Sequence, residues 1–148
     1  MTYRLKVVTL TMVRDHTLAS DVKKIGSPAD AAAVLFHYLE GADREHFVAL
    51  YLDTKHCITA VHTVSIGSLN ATIVHPREVY KAALLANAAA VIVGHNHPSG
   101  DPTPSEEDVN VTNRLIQAGK ILGIELLDHV VIGDRRYFSF SDRGFLSS

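Results

Sequence analysis

The sequence predicts an α+β domain, a mixed β-sheet flanked by helices in a three-layer, α/β/α-like arrangement. Three observations point there. A short, purely apolar run, Ala88 to Val93, is closed by Gly94 and reads as a buried central strand. Two pairs of apolar segments, each split by turn residues, read as hairpins. Between them lie stretches whose apolar residues recur at helical spacing. The 148 residues suit one domain with one main core.

Taken in order, residues 3 to 13 read as a strand from their β-branched content and partial alternation. A polar stretch runs to Gly26. Ser27-Pro28-Ala29-Asp30 opens a helix: Ser27 caps it, Pro28 takes the first helical position, and Asp30 sits well in the first turn. Ala31, Val34, Leu35, Tyr38 and Leu39 form its apolar face, and Gly41 ends it. Phe47 to Leu52 is a largely buried strand, Asp53-Thr54-Lys55 a turn, and His56 to Ile66 the returning strand. Gly67-Ser68 breaks the pattern, and Asn70 to Val74 reads as a further short strand. Pro76 opens a helix carrying Val79, Tyr80, Ala83, Leu84 and Leu85. Ser105 to Leu122 is a helix with Val109, Leu115, Ile116 and Ile121 facing inward. Ile124 to Ile132 and Arg136 to Phe140 form a final hairpin around Gly133-Asp134.

Composition narrows the function. No apolar run approaches the roughly 20 residues of a membrane helix. The first residues lack a signal-peptide pattern, so a cytoplasmic protein is expected. Cys57 is the only cysteine, which excludes an intrachain disulfide and a cysteine-rich metal site; it reads as a small buried apolar residue rather than a nucleophile. The formal net charge of −2 leans against nucleic acid, whose binders usually carry a basic excess.

His95 and His97 directly follow the apolar strand. In extended backbone, residues i and i+2 project to the same side, so two imidazoles at this spacing can meet one ion while Asn96 points away. Pro98, Gly100, Pro102 and Pro104 stiffen a polar loop that delivers the chain to the helix at Ser105. Asp108 lies in the first turn of that helix and can face back toward the strand end. Two imidazoles and one carboxylate leave a fourth tetrahedral position open, the ligand count of catalytic zinc. Water there would ionise near pH 7, at roughly the pKa zinc confers. Ser105-Glu106-Glu107-Asp108 is equally a good helix cap, with Ser at the cap and acids near the positive helix end. Spacing alone leaves the metal site and the cap side by side, and iron in a two-histidine, one-carboxylate site is a further option. Hydrolysis also wants a base. Glu40, Glu45 and Glu78 are available, and spacing does not choose among them. His75 and His129 read as scaffold histidines, with a role behind the ligands or toward substrate as the alternative, Asn96 as a brace for the metal loop, and Thr112 and Asn113 as residues without chemistry.

His-x-His, seven residues, then Ser-x-x-Asp is the signature of the JAMM (MPN+) metalloproteases. Gly67-Ser68-Leu69-Asn70, Val74-His75-Pro76-Arg77-Glu78, the run from His95 to Ser105, and Leu127-Asp128-His129 narrow this further. On them the chain resembles the bacterial RadC family from about Ser27 to Leu146. The resemblance implies a JAMM/MPN (cytidine-deaminase-like) fold with zinc at one edge of the sheet. It implies His95, His97 and Asp108 as ligands, and Ser105 as a donor to the carbonyl oxygen of the tetrahedral intermediate. It implies a glutamate base at the start of an early strand, where Glu45 matches best and Glu40 is the fallback.

On this reading residues 1–26 are a strand-and-loop extension and residues 27–148 the RadC-like domain. Long members of the family carry a region resembling a helix-hairpin-helix DNA-binding module, which these first residues do not resemble. The function implied is a zinc-dependent metalloprotease or isopeptidase with a peptide or protein substrate and no membrane partner. The alternative is a DNA-repair-associated protein, either a metal nuclease or a non-catalytic accessory factor. A metal-free scaffold is a third option, and the filled ligand positions speak against it.

Overall fold

The computed structural model describes residues 1–67 and 74–146. Ser27 caps α1 (Pro28–Tyr38), accepting from the Asp30 amide as the sequence predicts. Two strands follow, β1 (His46–Leu52) and β2 (Ile58–Ile66), joined through Asp53. The Asp53 carboxylate accepts from the Lys55 and Cys57 amides and so closes the turn. Next come α2 (Pro76–Leu85), β3 (Ala90–Asn96), α3 (Glu106–Leu122), β4 (Glu125–Ile132) and β5 (Tyr137–Ser139).

The sheet runs β2-β1-β3-β4-β5. Only β3 and β4 are parallel, and α3 supplies the crossover that a parallel pair requires. The other pairs are antiparallel, so the sheet is mixed, as expected. Strand alternation divides the interior in two. Val48, Leu50 and Leu52 of β1 pack with α1 on one face. Phe47, Ala49 and Tyr51 pack with α2 and α3 on the other. The result is three layers of the α+β class. Every residue of β3 is buried, the mark of a central strand covered on both faces. Tyr51 donates its phenol to the Val79 carbonyl and Tyr80 donates to that of Leu115, each at 2.7 Å. These bonds satisfy two buried hydroxyls and tie β1 to α2 and α2 to α3. No helix among the described residues is long and apolar enough to cross a membrane.

Four expectations need correction or limits. Residues 3–13 form no strand; Tyr3, Leu5, Val7, Val8, Leu10 and Val13 are exposed. Strand propensity needs a pleated neighbour to act, and the first bridge to the sheet comes only at Lys24, opposite Cys57. In the expected short strand at 70–74, residues 70–73 lie outside the described residues, and Val74 is a buried residue outside any strand. Ile121 is 86% exposed rather than inward. The inward face of α3 is set by Thr112, Leu115 and Gly119, and Ile121 falls off that stripe. Finally, β3 runs beyond Val93, because β1 keeps pairing with it as far as His95.

Candidate metal centre

The site forms where β3 ends and α3 begins. His95 lies within β3 and is fully buried, and His97 is the first residue beyond the strand. The amide of His97 still donates to Ile132 of β4 at 2.9 Å, which keeps the backbone extended and both imidazoles on one side. Phe47 of β1 pairs with His95 in register and stacks on its ring at 5.8 Å.

The loop from His97 to Ser105 is fixed by its own backbone. The Gly100 amide donates to the His97 carbonyl, and the Asp134 amide in the β4–β5 turn donates to the Gly100 carbonyl at 2.7 Å. Gly100 has φ +92, a conformation that favours glycine. Gly133 packs so closely that a Cβ there would overlap the Gly100 carbonyl. Asp101 accepts from both the amide and the hydroxyl of Thr103, holding the second half of the loop.

Ser105 is the N-cap of α3, and a reciprocal capping box is present. The Ser105 hydroxyl accepts from the Asp108 amide at 3.1 Å, and the Asp108 carboxylate accepts from the Ser105 amide at 2.8 Å. The same carboxylate faces the histidines. His95 Nε2 is 3.2 Å from Asp108 Oδ1, His97 Nε2 is 3.2 Å from Asp108 Oδ2, and the two Nε2 atoms are 3.0 Å apart. Four ligands about 2.0–2.1 Å from a tetrahedral ion stand about 3.3 Å from one another. Each imidazole nitrogen therefore already stands at about ligand spacing from the other and from one oxygen of Asp108. The cap and the group that could hold a metal, which the sequence left side by side, share the Asp108 carboxylate.

The protons on the two rings follow from their partners. His97 Nδ1 lies 2.9 Å from the Asp101 carbonyl oxygen, which can only accept. Nδ1 thus carries the hydrogen, and Nε2 of the neutral ring offers a lone pair to the site. His95 Nδ1 meets His129 Nε2 at 2.8 Å, and His129 Nδ1 meets Thr112 Oγ1 at 2.6 Å. Two neutral imidazoles and a carboxylate crowd acceptors together, an arrangement that a divalent cation relieves. Without a cation a proton does so. Accordingly the His97 pKa is raised, chiefly by its hydrogen bond to Asp108. Burial pushes Asp108 up, but the facing imidazoles, when protonated, outweigh it and hold the carboxyl well below the usual range. Burial holds the pKa of fully enclosed His129 well below that of a free imidazole, which keeps the ring neutral.

Glu45 stands immediately before β1, with Oε1 3.7 Å from His95 Nε2. Continuing the Phe47–His95 register by two residues sets Glu45 opposite His97. Glu45, His95, His97 and Asp108 form a group with one ligand atom from each within 4.8 Å of the others, a geometry that can hold a metal ion. Burial raises the Glu45 pKa, with Asp108 adding to it and His95 opposing. Glu40 and Glu78 are not in the group; Glu78 instead pairs with Lys81 at 2.8 Å. His75 is the N-cap residue of α2, with no side-chain cap bond.

Three residues matter more than their sequence context suggested. Asn96 does not brace the metal loop. Its Oδ1 accepts from the His46 amide at 2.7 Å and its Nδ2 donates to the Arg44 carbonyl at 2.8 Å, so it clasps the backbone on both sides of Glu45. His129 and Thr112 are buried beside His95 and hydrogen-bonded to each other. The place of Asn96 between the two histidines hinted at it, Leu127-Asp128-His129 stood among the family-like segments, and nothing local marked Thr112.

A family model described as RadC-like JAB domain matches residues 25–145. A UPF0758 protein of Methanosarcina acetivorans is 56% identical over 124 residues, covering 84% of this chain and 54% of its own length. A UPF0758 protein of Shouchella clausii is 57% identical over the same coverage. One of Halalkalibacterium halodurans is 53% identical over 134 residues, 90% of this chain and 58% of its own. The chain thus spans a little over half the length of these relatives.

Proposed function

Since this chain belongs to the RadC-like JAB domain family, we propose that its metal corner holds zinc and hydrolyses an amide bond in a peptide or protein. The observation that carries the reading is a fourth group at the right distance. Two imidazole nitrogens and the Asp108 carboxylate converge at about ligand spacing, and a half-buried carboxylate, Glu45, stands 3.7 Å from one of the nitrogens. A structural site would close its coordination with a fourth ligand, whereas hydrolysis needs an open position and a base beside it.

His95, His97 and Asp108 hold the ion. Zinc supplies Lewis acidity, lowering the pKa of water to roughly 7 and polarising a carbonyl. Glu45 takes the proton of the attacking water at its carboxylate and passes it to the departing amine. Burial raises its pKa, which makes it a stronger base toward the proton of the attacking water. Asn96 keeps the carboxylate in place through the backbone at 44 and 46. The Ser105 hydroxyl accepts from the Asp108 amide, which leaves its own hydrogen for the substrate carbonyl oxygen. One such donor is worth roughly 3 kcal/mol in other hydrolases.

The test is turnover of a fluorogenic peptide library and of isopeptide-linked substrates by zinc-loaded protein and by Glu45→Gln. The variant should retain its zinc and lose about 10²- to 10⁴-fold in kcat. Equal turnover by parent and variant would remove Glu45 from the mechanism. No cleavage of any amide by zinc-loaded parent would remove the hydrolase reading.

A further inference from the structure

We propose that His129, with Thr112 behind it, is a positioning residue that sets the tautomer of His95 and thereby the metal affinity of the site. The inference rests on the metal-site reading above and adds to it a device in the layer beneath the ligands.

Hydrogen-bond directions fix the chain of contacts. Thr112 Oγ1 lies 2.7 Å from the Asp108 carbonyl oxygen. A carbonyl cannot donate, so the hydroxyl hydrogen is committed to it, in the back-bond to residue i−4 that threonines commonly make in helices. With its hydrogen spent, Oγ1 must accept at its 2.6 Å contact with His129 Nδ1, so that nitrogen carries a hydrogen. Neutral His129 then has a bare Nε2, which must accept from His95 Nδ1 at 2.8 Å. His95 is left with a bare Nε2 directed at His97 and Asp108. Three consecutive bonds thus run from a helix carbonyl to the ligand atom, and each one fixes the next. Reversing the chain would set two acceptors, Oγ1 and the Asp108 oxygen, against each other at 2.7 Å.

The surroundings prevent His129 from turning or meeting water. Its ring is fully buried, stacked on Phe140 at 4.8 Å with an 8° interplanar angle, and met edge-on by Phe47 at 5.5 Å. The relay also joins two ligands on different elements. It starts at His95 on β3, crosses β4, and returns through Thr112 to the backbone of Asp108 on α3. Partners of this kind orient a metal-bound imidazole and raise its basicity, and their loss typically costs about 10- to 100-fold in metal affinity.

The experiment is zinc affinity by competition with a chromophoric chelator. It is measured per folded molecule and paired with the cobalt(II) visible spectrum of the same proteins. His129→Leu, which removes the acceptor, should bind zinc about 10- to 100-fold more weakly and alter the cobalt spectrum. His129→Gln, whose amide can both accept from His95 and donate to Thr112, should recover most of that loss. Thr112→Val, nearly the same shape, should weaken zinc binding about 3- to 10-fold, and it decides the matter if His129→Leu does not fold. Folded His129→Leu and Thr112→Val proteins that both bind zinc within twofold of the parent would overturn the proposal. They would leave His129 as core packing only. A parent that takes up no zinc would overturn the metal-site reading itself, and its own titration separates that failure from this one.

Discussion

The two histidines of the site present the same kind of nitrogen from different ground. His95 sits on a central strand with a side chain only 1% exposed, and its free nitrogen is set by side chains from β4 and α3. His97 sits in a loop with a side chain 18% exposed, and its free nitrogen is set by a backbone carbonyl four residues on. One imidazole is fixed by tertiary packing and the other by local turn geometry. Damage to the strand side should therefore register in stability and metal affinity together. Loss of the loop histidine itself should register mainly in metal affinity.

Replacing the ligands gives the largest effects and the cleanest break of this contrast. His95→Ala and His97→Ala should each abolish stoichiometric zinc binding. Only His95→Ala should also destabilise the metal-free domain, by about 1–3 kcal/mol in urea unfolding, because it strands the buried His129 Nε2 without a donor. Equal stability of the two variants would erase the distinction. Asn96→Ala comes next. It leaves both ligands in place but releases the backbone around Glu45, and a carboxylate displaced by an ångström should cost about 10- to 100-fold in kcat at unchanged zinc content. On the loop side, Gly133→Ala drives a methyl group into the Gly100 carbonyl. It should shift the loop and weaken zinc binding, with an overpacking cost of about 1–3 kcal/mol in thermal unfolding. Ser105→Ala is the mildest for the fold, costing about 1 kcal/mol of stability through the lost cap. Any larger fall in its kcat would be read separately as loss of the oxyanion donor.

The same contrast explains what the sequence could disclose. His97, Gly100, Asp101, Thr103, Ser105 and Asp108 lie within a dozen residues, and their geometry follows from turn and cap chemistry that is visible in a short window. The helix start at Ser27-Pro28, the Asp53 turn and the buried run of β3 were legible for the same reason. Glu45 was not. It lies fifty residues before His95, and only the pairing of β1 with β3 brings it beside His97; in the sequence a family resemblance pointed to it, not spacing. Thr112 carries no local mark, and His129 is marked only as part of the family-like Leu127-Asp128-His129 segment. A histidine in an apolar strand and a threonine in a helix look like scaffold until the parallel β3–β4 pair and α3 enclose them beside His95. The strand expected at residues 3–13 failed in the opposite way: its propensity was visible, but the neighbour it needed was not.

The central claim is that Glu45, His95, His97 and Asp108 surround a resident divalent metal. Elemental analysis of purified parent beside Asp108→Asn tests it most directly. The amide keeps an oxygen for the helix cap but is a poor ligand, so ligation is separated from capping. The account predicts about one zinc per parent chain and almost none in the folded variant. Equal metal in the two, or none in the parent after dialysis against zinc, would contradict it.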